Sequence, residues 1–277
     1  MIYKNTHYGF HGCGLGNQMF QLSILFSIWK ETNQNFFLNK TAVKNNTKPN
    51  IFACFDIDID VEDVNRINNL CHNNGCPYEF YEHVYKQPLG TEFSGYFQNK
   101  KYYEKYQKEL IHFLKFKQEH IDSSYDIIKW LKTKYNLPLV SVHYRRKDYV
   151  TKHMEQKVGN LSKSNYYQTC VDLINYDCVY LIFSDDIGWC RQNIKFKNKN
   201  IEFMDSNFYQ TIYLMSICDV NIIANSTYSW WGAFLNINSK VYAPSKWTGP
   251  EDKPNGCNDN INLLLDNWNR IEVKYTI

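Results

Sequence analysis

The chain has 277 residues, a length that suits one large domain or two compact ones and excludes a peptide-sized scaffold. Hydrophobic residues make up 44% and charged residues 21%, which is enough apolar material for a core and too little charge for a disordered chain. Lys and Arg number 31 against 28 Asp and Glu, and the formal charge of +3 excludes the broad basic surface of a nucleic-acid-binding protein. Any anion must therefore be bound locally, by a few side chains.

The cysteines and the N-terminal segment bear on where the chain works. There are 9 cysteines and no Cys-x-x-Cys pair, so neither a complete disulfide framework nor a thiolate zinc site is indicated, and buried thiols are expected. The first residues lack the apolar region of a secretory signal, and no apolar run reaches the ~18 residues that cross a bilayer. The expected location is cytoplasmic, with possible peripheral membrane contact.

The first predicted element is a glycine-rich loop that opens a buried helix. Residues 12–18 read Gly-Cys-Gly-Leu-Gly-Asn-Gln, and a long apolar run follows from Met19 to Trp29. Asn17 stands where the dinucleotide fingerprint has its last glycine, and the Gly-Lys-Ser/Thr of a phosphate-binding P-loop is missing, which disfavours a Rossmann dehydrogenase and a P-loop ATPase. Such a loop still lets a ligand approach the backbone closely. Residues 40–135 mix helical charge patterns with loops and give no clear boundaries.

From residue 137 onward, strands and helices alternate. Apolar runs predict strands at 139–143, 179–183, 201–204, 220–224 and 241–243. Helical spacing predicts helices at 167–174, at 212–219 and through 230–235. This order indicates a doubly wound parallel sheet, and a linker near 136–138 divides the chain into domains 1–136 and 137–277.

The first polar cluster follows the strand at 139–143 and reads His143-Tyr-Arg145-Arg146-Lys-Asp148. Ligands of a doubly wound sheet bind outside the carboxyl ends of its strands. Two guanidiniums at such an end suit a diphosphate, since each charge-assisted hydrogen bond is worth ~1.5–3 kcal/mol. A structural Arg–Asp pair with Asp148 is the alternative.

The second cluster, Ser184-Asp185-Asp186, ends the strand at 179–183. Its carboxylates suit a divalent metal, or hydrogen bonds from the edge of a guanine base. They also suit the N-cap of the helix that follows. The three readings stay open.

The third cluster begins Asn225-Ser226-Thr227 and lies between a predicted strand and a predicted helix. Free N–H groups and small hydroxyls at a helix N-terminus form an anion site without a metal. Simple helix capping by Ser226 or Thr227 is the alternative. Trp230 and Trp231 follow at consecutive helical positions, which point in different directions, so core packing is expected for them.

Five segments taken together resemble the α-1,2-fucosyltransferases of glycosyltransferase family 11, over residues 12–247. They are Gly-Leu-Gly-Asn-Gln-Met-Phe-Gln at 14–21, Gly-Tyr-Phe-Gln at 95–98, His-x-Arg-Arg-x-Asp at 143–148, Phe-Ser-Asp-Asp at 183–186 and Asn-Ser-Thr-Tyr-Ser-Trp-Trp-Gly-Ala at 225–233. The resemblance implies an α/β, GT-B-like fold: two Rossmann-like halves whose mainly parallel sheets face a central cleft. Residues 1–136 would form the acceptor side and 137–277 the GDP-sugar side.

The implied reaction transfers L-fucose, with inversion, from GDP-β-L-fucose to the 2-hydroxyl of a terminal β-galactoside on an oligosaccharide or glycoconjugate. GDP-fucose is then a co-substrate, and no cofactor, metal or nucleic acid is expected. Another GDP-sugar or acceptor, or non-catalytic binding of glycans or nucleotide sugars, are the alternatives.

The resemblance also assigns roles to individual residues. Arg145 would contact the donor phosphate, supported by Arg146. Asp148 joins them as a catalytic candidate, and the general base would be Asp148, His153 or Glu155. The remaining expected contacts are His143, Asp185 and Asp186 near guanine, Asn225, Ser226 and Thr227 near the phosphates, and Gly14, Gly16, Asn17 and Gln18 in an acceptor or cleft loop.

Overall fold

The computed structural model describes residues 4–8, 13–39, 49–62, 69–72, 76–249 and 262–275. These residues form two compact units. The first contains the described residues up to 117 together with 262–265, and the second contains 118–249 together with 266–275. The division therefore comes before the linker expected near residue 136, because the helix that starts at Gln118 packs with the second unit.

The first unit is built on a parallel sheet. Its strands are β1 (Lys4–Tyr8), β2 (Asn35–Asn39), β3 (Phe55–Asp56), β4 (Val61–Glu62), β5 (Asn69–His72), β6 (Thr91–Ser94) and β7 (Lys115–Phe116). Its helices are α1 (Leu15–Thr32), α2 (Ile51–Cys54) and α3 (Gln107–Phe113), with 3-10 turns at Glu82–Lys86, Lys100–Tyr102 and Glu104–Tyr106. Five strands pair in the order β4-β2-β1-β6-β5, all parallel, while β3 and β7 form a separate antiparallel pair.

The buried helix predicted after the glycine loop is confirmed as α1. Gly14 is its N-cap, and the carbonyl oxygen of Gly14 accepts hydrogen bonds from the amides of Asn17 and Gln18. The helix is buried on most sides because apolar residues run almost without interruption along it. It ends at Asn33, whose φ of 56° is the left-handed conformation that commonly stops a helix.

The second unit contains a larger sheet. Its helices are α4 (Gln118–Lys134), α5 (Lys152–Val158), α6 (Tyr166–Asp172), α7 (Ile187–Asn193), α8 (Phe208–Ser216) and α9 (Thr227–Phe234), with 3-10 turns at Lys147–Val150 and Leu161–Lys163. Its strands are β8 (Leu139–Tyr144), β9 (Val179–Ser184), β10 (Asn200–Phe203), β11 (Val220–Ile222), β12 (Lys240–Pro244) and β13 (Asn269–Ile271). All six pair in parallel, in the order β10-β9-β8-β11-β12-β13.

This order identifies where the second unit should bind a ligand. Counted along the chain, the strands run 3-2-1-4-5-6, the arrangement of a doubly wound nucleotide-binding sheet. The direction of winding reverses between β8 and β11, which are hydrogen-bonded neighbours. In sheets of this kind, ligands bind at the switch point, outside the carboxyl ends of the strands.

The core of the second unit explains its central strands. All six residues of β8 are buried, and β9 is buried from Val179 to Phe183, as expected for parallel strands covered on both faces. Trp230 and Trp231 are 0% exposed, so the prediction that they pack in the core is confirmed.

The described residues bear on two further expectations, buried thiols and the absence of a membrane-spanning helix. Seven described cysteines are buried thiols, but Cys76 forms a disulfide, which the sequence did not predict. Among the described helices, none is long and apolar enough to cross a membrane.

Candidate active site at the switch point of the second sheet

Arg145 follows the carboxyl end of β8 and is held by two carboxylates. Its Nη2 lies 2.6 Å from Oδ1 of Asp148, and its Nη1 lies 2.7 Å from Oδ2 of Asp185. The guanidinium carbon also lies 5.3 Å from the centre of the Tyr149 ring. A guanidinium has five N–H donors, so these two ion pairs fix its orientation and leave further donors for a ligand. The side chain of Arg145 is 33% exposed to solvent.

Arg146 points to a different environment and is buried. Its guanidinium carbon lies 3.3 Å from the centre of the Trp189 ring, its Nε lies 3.3 Å from Oδ2 of Asp186, and its Nη1 donates to Oγ of Ser162 at 3.0 Å. In this structure Arg145 is the more accessible guanidinium, and Arg146 is packed inside the unit.

Behind Arg146 lies a chain of polar contacts that sequence reasoning missed. Oγ of Ser162 donates to Oδ1 of Asn160 at 2.5 Å, and Nδ2 of Asn160 donates to Oε1 of Glu155 at 2.7 Å. Lys163 forms an ion pair with the same carboxylate. Burial opposes ionisation of Glu155, but the bonds from Lys163 and Asn160 outweigh it and lower the pKa of this carboxyl. Glu155 is therefore a weak candidate for a general base.

Asp185 and Asp186 are both engaged by the arginine segment. Oδ1 of Asp185 accepts the backbone amide of Arg146 at 2.8 Å, which ties the end of β9 to the end of β8. Oδ1 of Asp186 accepts the amide of Trp189 at 3.3 Å, so the N-cap role weighed for this residue is confirmed. The described residues contain no group of three or more His, Cys, Asp and Glu side chains that could hold a metal.

His143 is buried near the carboxyl end of β8. Its Nδ1 has no hydrogen-bond partner among the described residues, and its ring centre lies 5.7 Å from that of Tyr228 on α9. Burial, reinforced by the nearby Arg145, lowers the pKa of His143 to about 3. The imidazole is therefore neutral at physiological pH, and its Nδ1 is both buried and unpaired among the described residues.

The segment before α9 lies beside the arginine segment. The hydroxyl of Tyr149 donates to the carbonyl oxygen of Asn225 at 3.2 Å. Ser226 occupies the N-cap position, but its hydroxyl makes no capping bond, so the side-chain capping reading is wrong for this residue. The half-buried Thr227 opens α9, and the N-terminus of a helix is an arrangement that favours the binding of an anion.

The glycine-loop residues belong to the first unit and differ in accessibility. Gln18 is 0% exposed; its Nε2 donates to the carbonyls of Cys13 and Pro49, and its Oε1 accepts the Ile51 amide. It therefore braces the loop from inside. Gly16 is buried as well, Gly14 and Asn17 are half-buried, and Gly12 lies outside the described residues.

The glycine loop contacts the Gly-Tyr-Phe-Gln motif at 95–98. Nε2 of Gln98 donates to Oδ1 of Asn17 at 3.0 Å, and Nε2 of Gln21 donates to the carbonyl of Gly95 at 3.2 Å. Phe97, between these residues, is buried and has a φ of 49°, which is rare for a bulky residue. The structure thus joins the two motifs at the carboxyl end of β6.

The sequence matches the model of Glycosyl transferase family 11 over residues 10–272. The chain belongs to glycosyltransferase family 11. A relative from Escherichia coli, named alpha-1,2-colitosyltransferase, is 29% identical over 94% of this chain and 96% of its own length. A second relative from the same species, the O-antigen biosynthesis glycosyltransferase WbnK, is 35% identical over 48% of this chain and 44% of its own.

Solved fucosyltransferases share the fold of this family 11 chain. NodZ from Bradyrhizobium superposes with a TM-score of 0.51 at 13% identity, over 84% of this chain and 94% of its own. FUT1 of Arabidopsis thaliana, in complex with GDP, gives a TM-score of 0.54 at 10% identity, over 91% of this chain and 72% of its own. With two units that each carry a parallel sheet, the expected GT-B class of α/β fold is confirmed.

Proposed function

We propose that this glycosyltransferase moves L-fucose from GDP-β-L-fucose to the 2-hydroxyl of a terminal β-galactoside. The observation that carries the proposal is the position of Arg145, at the switch point of a 3-2-1-4-5-6 sheet and next to the segment that opens α9. A pyrophosphate there would meet a fixed guanidinium and the N-terminus of α9. The name of a relative that acts on galactosides, the Bos taurus galactoside 2-alpha-L-fucosyltransferase, supports the acceptor class.

In the proposed reaction, the acceptor 2-oxygen forms a bond to fucose C1 as the bond from C1 to the phosphate oxygen breaks, with inversion. The proton of the 2-hydroxyl passes to a general base, for which Asp148 and His153 are the candidates, and GDP leaves with the bonding electrons. Arg145 and the α9 amides stabilise the charge that develops on GDP. His143 and the acids at the end of β9 are the proposed guanine contacts.

A second donor is favoured by one observation. The relative that matches nearly the whole chain is named a colitosyltransferase. Colitose is the 3-deoxy counterpart of L-fucose, so one donor site can be built for either sugar. Purified protein should be assayed with both GDP-sugars and a panel of galactosides, and the linkage of the product analysed. If the protein turns over the colitosyl donor and not GDP-fucose, colitose takes the place of fucose as the transferred sugar in this proposal.

Arg145→Ala tests the proposed site. Removing a fixed donor to the leaving group should lower transfer by about 10²-fold or more while the protein stays folded. Arg191→Ala is the matched control, because this arginine on α7 contacts only the carbonyl and ring of Phe203 in the described structure. Activity of Arg145→Ala within about threefold of wild type would remove Arg145 from the mechanism.

Metal independence is part of the proposal and has its own test. Transfer should persist in EDTA, because guanidinium and amide donors offset the pyrophosphate charge. Loss of activity in EDTA with recovery in Mn²⁺ would favour the metal reading of Asp185 and Asp186.

A further inference from the structure

Tyr149 lies between the two parts of the proposed pyrophosphate site. It belongs to the 3-10 turn Lys147–Val150, and its ring lies 5.3 Å from the guanidinium carbon of Arg145. That distance is within the range of a cation–π contact. Together with Asp148 and Asp185, the ring restricts where Arg145 can point.

The hydroxyl of Tyr149 reaches the other part of the site. It donates to the carbonyl oxygen of Asn225, the residue before the N-cap of α9. Burial raises the pKa of Tyr149 to about 12. The hydroxyl therefore stays protonated, and remains a donor, across the whole range in which the protein would work.

Asn225 is held from its side chain as well. Its Nδ2 donates to the carbonyl of Val158, at the end of α5, at 2.5 Å and to the carbonyl of Trp247 at 3.2 Å. The carbonyl oxygen of Asn225 accepts the hydrogen bond from the hydroxyl of Tyr149. These three bonds determine where Ser226 and the first amides of α9 lie.

We infer that Tyr149 is a positioning residue that sets the spacing between the Arg145 guanidinium and the N-terminus of α9, so that one pyrophosphate can contact both. The inference rests on the proposed function, because it assumes that a nucleoside diphosphate binds there. Tyr149 itself needs no contact with the substrate. If a variant that lacks only the Tyr149 hydroxyl binds GDP less tightly, the cause would be a change in the positions of Arg145 and the N-terminus of α9.

The test measures GDP affinity by calorimetry and donor KM and kcat by assay for wild type and Tyr149→Phe. Losing the Asn225 bond should weaken GDP binding about three- to tenfold, and donor KM should rise more than kcat falls. Tyr102→Phe is the matched control: in the first unit its hydroxyl accepts the Tyr81 amide and contacts the carbonyl of Glu79. Its melting temperature should fall as much as that of Tyr149→Phe, with unchanged GDP affinity.

A double variant separates positioning from a general loss of stability. If Tyr149 acts through the α9 segment, the two substitutions Tyr149→Phe and Ser226→Ala should not act independently. The fold-loss of GDP affinity in the double variant should then be smaller than the product of the fold-losses in the two single variants. Wild-type affinity in Tyr149→Phe, or fully multiplicative effects, would overturn the inference and leave the proposed function standing. Absence of GDP binding by the wild type would instead overturn the proposed function.

Discussion

At the scale of single residues, the site is more balanced in charge than its sequence suggests. Arg145 and Arg146 give two positive charges, but Asp148, Asp185 and Asp186 all contact them. We therefore expect a pyrophosphate to bind through directed N–H donors and not through a surplus of positive charge. Such binding would be compatible with a net charge of only +3.

Asp148 can either accept the acceptor proton or only orient Arg145, and Asp148→Asn distinguishes the two. If Asp148 is the base, transfer should fall by about 10²–10⁴-fold. GDP should bind as well as before or more tightly, because the variant removes a negative charge close to the phosphates. Single-turnover transfer and GDP calorimetry measure the two effects separately.

The matched variant for this prediction is Glu155→Gln. The Glu155 carboxylate is occupied by Lys163 and Asn160, so less than about tenfold loss of transfer is expected. Asp148→Asn with more than about a tenth of wild-type transfer would assign Asp148 to orienting Arg145 alone.

At the scale of elements, the packing of α9 on α8 depends on a glycine. A Cβ at Gly232 would lie 2.9 Å from the Cβ of Met215, which real side chains do not tolerate. Gly232→Ala should therefore push the helices apart and lower the free energy of unfolding by about 1–3 kcal/mol. Gly188→Ala is the control, since nothing lies within 4 Å of a Cβ there, and it should leave stability equal or slightly raised. Thermal and urea unfolding of both variants test this, and equal stability would show that the interface can relax.

Five of the six strands of the second unit could be predicted from the sequence. The apolar runs place β8, β9, β10, β11 and β12 within two residues of their observed ends. Strands buried on both faces give such runs, so their signal is strong. In the first unit the strands are short, three of them with only two residues, and they lie among polar loops, which explains why their sequence shows no clear pattern.

The candidate site brings together residues that the sequence singled out, but the sequence does not predict the contacts between them. Its motifs follow strands whose carboxyl ends meet at the switch point, and sequence order alone implies that meeting. The bond from Tyr149 to Asn225 joins residues that are far apart in the sequence, and the chain from Arg146 to Glu155 runs through Ser162 and Asn160. Side-chain directions determine such contacts, and spacing along the chain does not reveal them.

At the scale of the whole molecule, the buried imidazole of His143 links the site to stability against acid. Its pKa is about 3 in the folded protein because burial disfavours its charged form, while an unfolded chain gives it the ordinary value of 6.5. Between these values the unfolded state binds one more proton than the folded state, so stability falls as pH falls. The slope contributed by one such group is at most about 1.4 kcal/mol per pH unit.

His143→Gln isolates this contribution, because glutamine is polar and does not titrate. Urea unfolding of wild type should show a loss of stability from pH 7.5 to 5.5 that the variant shows to a smaller degree. This window lies above the ordinary pKa of Glu155, 4.5, below which the lowered pKa of that carboxyl would add its own acid destabilisation. Parallel pH curves for the two proteins would mean that His143 has the same pKa in the folded and the unfolded state, as a solvated imidazole has. The buried, neutral imidazole that is proposed as a contact of the guanine base would then be absent.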